Sequence, residues 1–169
     1  MPEGLLERPA ISRLRRNHAL EHATIHLLSA RQPRTTLIGR SDPRGFFLFG
    51  DASTQAVADA AQEALARLRA GERRLAIHPN CGTNIVTAGL LGGSAAFAVL
   101  AGSGNGRGRL SRLPLAIAAT AVGLLIAQPL GTALQRSVTT QADPKGLKIL
   151  EVRTWRRGRT TLHRVLTTG

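Results

Sequence analysis

Leu75-Ala76-Ile77-His78-Pro79-Asn80-Cys81-Gly82-Thr83-Asn84 is where the chain changes character. Upstream the sequence is mixed and basic. From Leu75 no Asp, Glu, Lys or Arg occurs until Arg107, and residues 113–135 form a second uncharged block. The blocks at about 84–102 and 113–135 are apolar and each matches the roughly 20 helical residues a bilayer requires. They predict a transmembrane helical hairpin over 83–135, joined by a Gly/Arg-rich turn from Ser103 to Arg112. The competing reading is a buried helical hairpin in a soluble protein. Gly89 and Gly93 form a small-xxx-small pair on the first block. Ala116, Thr120, Gly123, Ala127 and Gly131 fall on one stripe of the second. Stripes of this kind allow close helix approach, and Pro129 is expected to kink the second helix.

Upstream, residues 1–10 read as an irregular arm between Pro2 and Pro9, without the apolar core of a secretory leader. Residues 11–30 follow a helical period, with Ser12 as the expected cap and Gln32-Pro33 as the stop. Ile11, Leu14, His18, His22 and Ile25 share one face. Residues 35–40 and 46–50 read as strands around the turn Ser41-Asp42-Pro43-Arg44-Gly45. Residues 54–70 form a second amphipathic helix, capped by Ser53 or Thr54 and stopped by Gly71. Residues 74–78 read as a short strand that delivers His78 and Cys81.

Downstream, 136–146 is a polar linker, and 147–155 with 159–166 read as a hairpin around Arg156-Arg157-Gly158. The expected fold is α+β, a small cytoplasmic helix-plus-antiparallel-sheet domain with an inserted two-helix transmembrane hairpin. Residues 1–82 are the first part of that domain. Residues 136–169 are the linker and the C-terminal hairpin that completes it.

The 169 residues carry a formal charge of +13, almost entirely as Arg, since Lys145 and Lys148 are the only lysines. Such a balance suits nucleic acid or an anionic membrane face. Aromatics are 3 %, Tyr is absent and no nucleic-acid-binding signature appears, so no nucleic-acid partner is expected. Of the 23 basic residues, twelve precede the first block, three lie between the blocks and eight follow. That distribution places both termini in the cytoplasm of a bacterial cytoplasmic membrane. The clusters Arg13-Arg15-Arg16 and Arg153-Arg156-Arg157-Arg159 are expected to meet anionic headgroups, or else to form an ordinary solvated face. A protein partner or a second copy of the chain is also compatible.

His18-Ala19-Leu20-Glu21-His22 is an H-x-x-E-H motif. On a helix, positions four apart project side by side, so two imidazoles can share one metal. Glu21 is a candidate general base, metal ligand or orienting partner. His26 extends the stripe by a turn, and neither it nor His163 is given a role. The second cluster, His78-Pro79-Asn80-Cys81-Gly82-Thr83, holds the lone cysteine. Candidate metal ligands are His18, His22, His78, Cys81 and Glu21; candidate catalytic residues are Glu21 and Cys81. The expected metal is Zn2+ or another divalent transition metal. Three functions follow. One is a non-catalytic membrane protein whose cluster acts as a structural staple or sensor. Another is a membrane-anchored zinc hydrolase or peptidase, with Glu21 activating water. The third is a thiol enzyme using Cys81. A thiolate ligand closes the coordination sphere, which favours the first.

Together the two motifs resemble the YqhQ-like family of uncharacterised bacterial integral membrane proteins. That family carries a His-Gly-Ala-Glu-His stretch, then a His-Pro-x-Cys-Gly-Thr stretch running into membrane helices. Ala19 stands where that family has Gly, and this chain has fewer spans. The resemblance implies an integral membrane protein with a polar site near the membrane face, and no particular reaction.

Overall fold

The computed structural model describes residues 4–101, 106–158 and 160–169. Pro2, Ser103 at the start of the expected Gly/Arg turn, the last residue of the first expected span and Arg159 lie outside them. The described residues divide into two compact units. The first comprises the described residues of 4–78 and 136–169, and the second those of 79–135.

In the first unit, α1 (Pro9–Arg31) begins at a proline in its first turn, where the missing N–H costs nothing. The expected cap, Ser12, therefore lies inside the helix, and its hydroxyl bonds Gln141 Oε1 at 3.2 Å. Gln32 closes the helix by donating to Leu28 O, and Thr35 N–H turns back to Gln32 O at 3.0 Å. That turn consumes residues 32–35, so strand β1 (Ile38–Asp42) starts later than the alternation predicts. Its partner β2 (Gly45–Phe49) follows a tight turn through Pro43 and Arg44. Gly45 has φ +140°, and a Cβ there would strike the Val165 carbonyl. α2 (Thr54–Arg69) is capped by Ser53, whose Oγ accepts Ala56 N–H at 3.1 Å. Gly71, at φ +91°, ends that segment.

The terminal strands β3 (Lys148–Arg157) and β4 (Thr160–Thr168) form an antiparallel hairpin, and β4 pairs with β2. The sheet order is β1-β2-β4-β3, so the terminal hairpin completes the sheet begun before the apolar blocks. Register sets Phe46 opposite Val165 and Leu48 opposite His163. Phe46, Leu48 and Val165 join Leu20, Leu28, Val57, Ala61, Leu65 and Leu147 in one core. These apolar side chains are almost fully removed from water, each contributing about 1.5–3 kcal/mol for a Leu, Val or Phe.

The expected strand at 74–78 is corrected. Arg73–Ala76 is a 3-10 turn, with Leu75 N–H bonded to Glu72 O and Ile77 N–H to Arg74 O. The carbonyls of Ala76 and Ile77, which a sheet would have paired, accept from histidine rings of α1 instead.

In the second unit, α3 (Gly82–Ala101) and α5 (Leu113–Leu134) form the predicted helical pair, with the short α4 (Gly106–Ser111) between them. Part of the expected Gly/Arg turn is thus helical. α5 runs on into a π-helical turn, Gln135–Thr139. The expected stripe on α5 is the packing face: Ala116, Gly123, Ala127 and Gly131 are buried, and Thr120 Oγ1 donates to Ala116 O. On α3 the facing residues are Asn84, Thr87 and Gly92, whereas Gly89 and Gly93 are exposed. At about 100° per residue those two glycines lie roughly 140° or more from Asn84. Asn84 Oδ1 accepts Gln135 Nε2–H at 2.9 Å in a buried pair. Both helices are long and apolar enough to cross a membrane by length and composition, and the apolar windows are only 17 % buried.

Candidate metal centre

The site is built on α1. Its 3.6-residue period places His18, His22 and His26 one above another on a single face. Each ring is anchored to a backbone carbonyl. His18 Nδ1–H donates to Thr139 O at 2.9 Å, His22 Nδ1–H to Ala76 O at 2.8 Å and His26 Nε2–H to Ile77 O at 2.7 Å. A carbonyl only accepts, so each bond fixes the proton on the donating nitrogen. In the neutral form of each ring the opposite nitrogen bears the lone pair: Nε2 of His18 and His22, Nδ1 of His26. Orientation by a second-nitrogen bond to a carbonyl is the arrangement that metal-ligating histidines use.

His78 completes the group. Its ring centroid lies 5.6 Å from that of His22 and 4.9 Å from that of His26, and the His18 and His22 rings are 4.3 Å apart, edge to face. Burial pushes the His78 pKa down to about 4, reinforced by the neighbouring His26 and His22. Near neutral pH His78 is therefore an uncharged imidazole, the form that binds a metal.

Glu21 is buried, and its carboxylate accepts the Ser41 hydroxyl on β1. It also lies against Gly39, where a Cβ would collide with the carboxylate. The structure thus gathers four histidines and turns the Glu21 carboxylate toward β1. Cys81 belongs to the second unit, is 6 % exposed, and its sulfur accepts Thr83 N–H at 3.5 Å. In sequence it stands three residues beyond His78.

His26 was legible as a continuation of the i, i+4 stripe. Gly39 and Ser41 carry no sequence signal for their role, because only the sheet brings them to Glu21. The segment after α5 is tied to α1 by Arg15, whose Nη2 donates to Ser137 O at 2.9 Å and Thr140 O at 3.3 Å. His163 lies in the core of the first unit, where Nδ1 pairs with Thr154 Oγ1 at 2.9 Å. Of the predicted headgroup clusters, Arg16 is buried and donates to Ser12 O, while Arg153 is exposed and paired with Glu151.

Comparison with known proteins gives two matches. The family described as Domain of unknown function (DUF6391) matches residues 13–152, a range that contains both motifs. An uncharacterised protein of Picosynechococcus sp. is 37 % identical over 153 residues, covering 82 % of this chain and 71 % of that protein. No solved structure matches. These matches carry the expectation of an uncharacterised family, whereas the likeness to the YqhQ-like family rests on the two short motifs.

Proposed function

The chain belongs to the DUF6391 family, and from that premise we propose that it is a bacterial membrane protein holding a tightly bound transition-metal ion in a structural or sensory centre. His18, His22 and His78 supply neutral imidazole nitrogens and Cys81 supplies a thiolate. Three nitrogens and one sulfur are a Zn2+ donor set, and four protein ligands leave no open position for substrate. The observation that carries this reading is the carbonyl anchoring of the α1 rings. It fixes tautomers that turn basic nitrogens of the same helix face away from their carbonyls. Cys81 enters the ligand set because three residues of backbone, about 11 Å at full extension, keep it within reach of the His78 neighbourhood. His26 stays outside the ligand set, its ring centroid 4.9 Å from that of His78.

The hydrolase reading has less support. A general base must reach a metal-bound water, and the Glu21 carboxylate is engaged by Ser41. Membrane insertion is supported by the apolar side chains that α3 and α5 leave uncovered, among them Ile85, Leu90, Phe97, Ile117 and Leu125. The distribution of basic residues supports cytoplasmic termini, and the YqhQ-like motifs agree with this reading.

Elemental analysis of detergent-purified protein tests the proposal. About one Zn2+ per chain is expected in the wild type, falling severalfold in His22→Ala and Cys81→Ser. A wild type without metal under chelator-free, reducing conditions would remove the proposal.

A further inference from the structure

A cleft of about 770 Å³ opens in the first unit, and four of its lining residues are arginines: Arg15, Arg73, Arg74 and Arg136. They come from three separated parts of the chain, namely α1, the 73–76 turn and the segment after α5. One carboxylate, Asp143, faces them. It is turned back on its own loop, where Oδ1 accepts Lys145 N–H at 2.9 Å.

What sets the four apart is their convergence on one concavity. Like most of the described arginines they form no salt bridge, so no ion-paired carboxylate offsets their charge there. Arg15 is held rigidly by its two bonds to Ser137 O and Thr140 O, and its Nε is buried with no acceptor among the described residues. Four guanidinium groups gathered in one concavity repel one another, and an anion with several oxygens relieves that repulsion. The guanidinium fork matches phosphate oxygens in pairs. The volume exceeds what a phosphate ion fills, and Ile77 and two alanines give the cleft an apolar wall.

We infer that this cleft binds the phosphate group of an organic phosphate ester, with Arg15 as the fixed donor and Arg73, Arg74 and Arg136 closing on the remaining oxygens. The inference needs no metal, and the cleft borders the histidine cluster, since its lining residues Ala76 and Ile77 are the carbonyl acceptors of His22 and His26. Two sources share this chemistry: the headgroup of an anionic phospholipid and a soluble phosphate ester.

Titration calorimetry on the full chain in neutral detergent tests it, with short-chain phosphatidylglycerol and glycerol phosphate as probes. Saturable binding is expected, weakened about tenfold in Arg73→Ala/Arg74→Ala and again in Arg136→Gln, as loss of charge-assisted hydrogen bonds implies. Arg31→Gln/Arg67→Gln, at arginines paired with Glu63 outside the cleft, should leave affinity unchanged. Tighter binding of phosphatidylglycerol than of glycerol phosphate assigns the lipid source, and equal binding assigns the soluble ester. Should the alanine pair unfold, Arg73→Lys/Arg74→Lys keeps the charge and loses the fork, so weaker binding is again expected. The inference is overturned by absence of saturable binding of both probes, by wild-type affinity in the folded cleft variants, or by equal weakening in the Arg31→Gln/Arg67→Gln variant.

Discussion

Glu21 shows how a single residue is given its role by the sheet. The motif offers it as a base or ligand, and helical spacing alone leaves both open. The glycine at position 39 and the hydroxyl of Ser41 settle where its carboxylate goes. Gly39→Ala should therefore destabilise the protein by about 1–3 kcal/mol, the usual cost of overpacking. In a Glu21→Ala background the same change should cost less than about 0.5 kcal/mol, because its collision partner is gone. Thermal unfolding of the four variants checks this, and equal costs in both backgrounds would contradict it. The buried histidines give a second prediction at this scale. Burial lowers the pKa of His163, and burial with its neighbours lowers that of His78 to about 4, against roughly 6.5 when unfolded. A lowered histidine pKa means the unfolded chain takes up protons first as pH falls. Stability is full above about pH 6.5 and declines toward pH 4. For half-buried His78 the loss in metal-free protein is about 1–2 kcal/mol after solvent screening. His163→Leu should flatten part of that decline in unfolding measured across this range, and an unchanged pH profile in the variant would contradict the account.

At the scale of elements, the helical pair separates two kinds of glycine. Gly123 sits 3.0 Å, measured from a Cβ built on it, from the Leu91 carbonyl, and a Cβ on Gly131 would strike Asn84 Oδ1. Gly89 and Gly93 meet nothing within 4 Å. Gly123→Ala and Gly131→Ala should each destabilise the hairpin by about 1–3 kcal/mol. Gly89→Ala and Gly93→Ala should be neutral or stabilising by up to about 1 kcal/mol, because alanine favours helix. Denaturant titration of the detergent-solubilised variants reads the sign directly, and destabilisation at Gly89 would contradict the observed packing face. The α5 stripe was legible because five small residues repeat at helical spacing. The α3 face was not, because the hairpin packs through Asn84 and Thr87, polar residues that a search for small pairs passes over. Residues 73–76 form a turn for a similar reason: the carbonyls of Ala76 and Ile77 accept from histidines more than 50 residues away in sequence, a contact that local sequence does not show.

At the scale of the molecule, composition revealed the α+β class, the apolar pair and the sheet completed by the terminal strands. Charge and hydropathy change abruptly at residues 75 and 136, and strand alternation on either side has one sheet to join. The candidate site was legible only in part. His18, His22 and His78 stand out in short motifs, while the carbonyl acceptors that fix their tautomers are backbone groups and leave no mark in the sequence. The central claim is that His18, His22, His78 and Cys81 hold one metal ion in a closed, tetrahedral centre. The most direct measurement is the absorption spectrum of the full chain after replacing bound metal with Co2+. The account predicts intense tetrahedral cobalt bands in the visible and a thiolate-to-cobalt band in the near ultraviolet that disappears in Cys81→Ser. Weak octahedral bands with no thiolate feature, unchanged in Cys81→Ser, would contradict it.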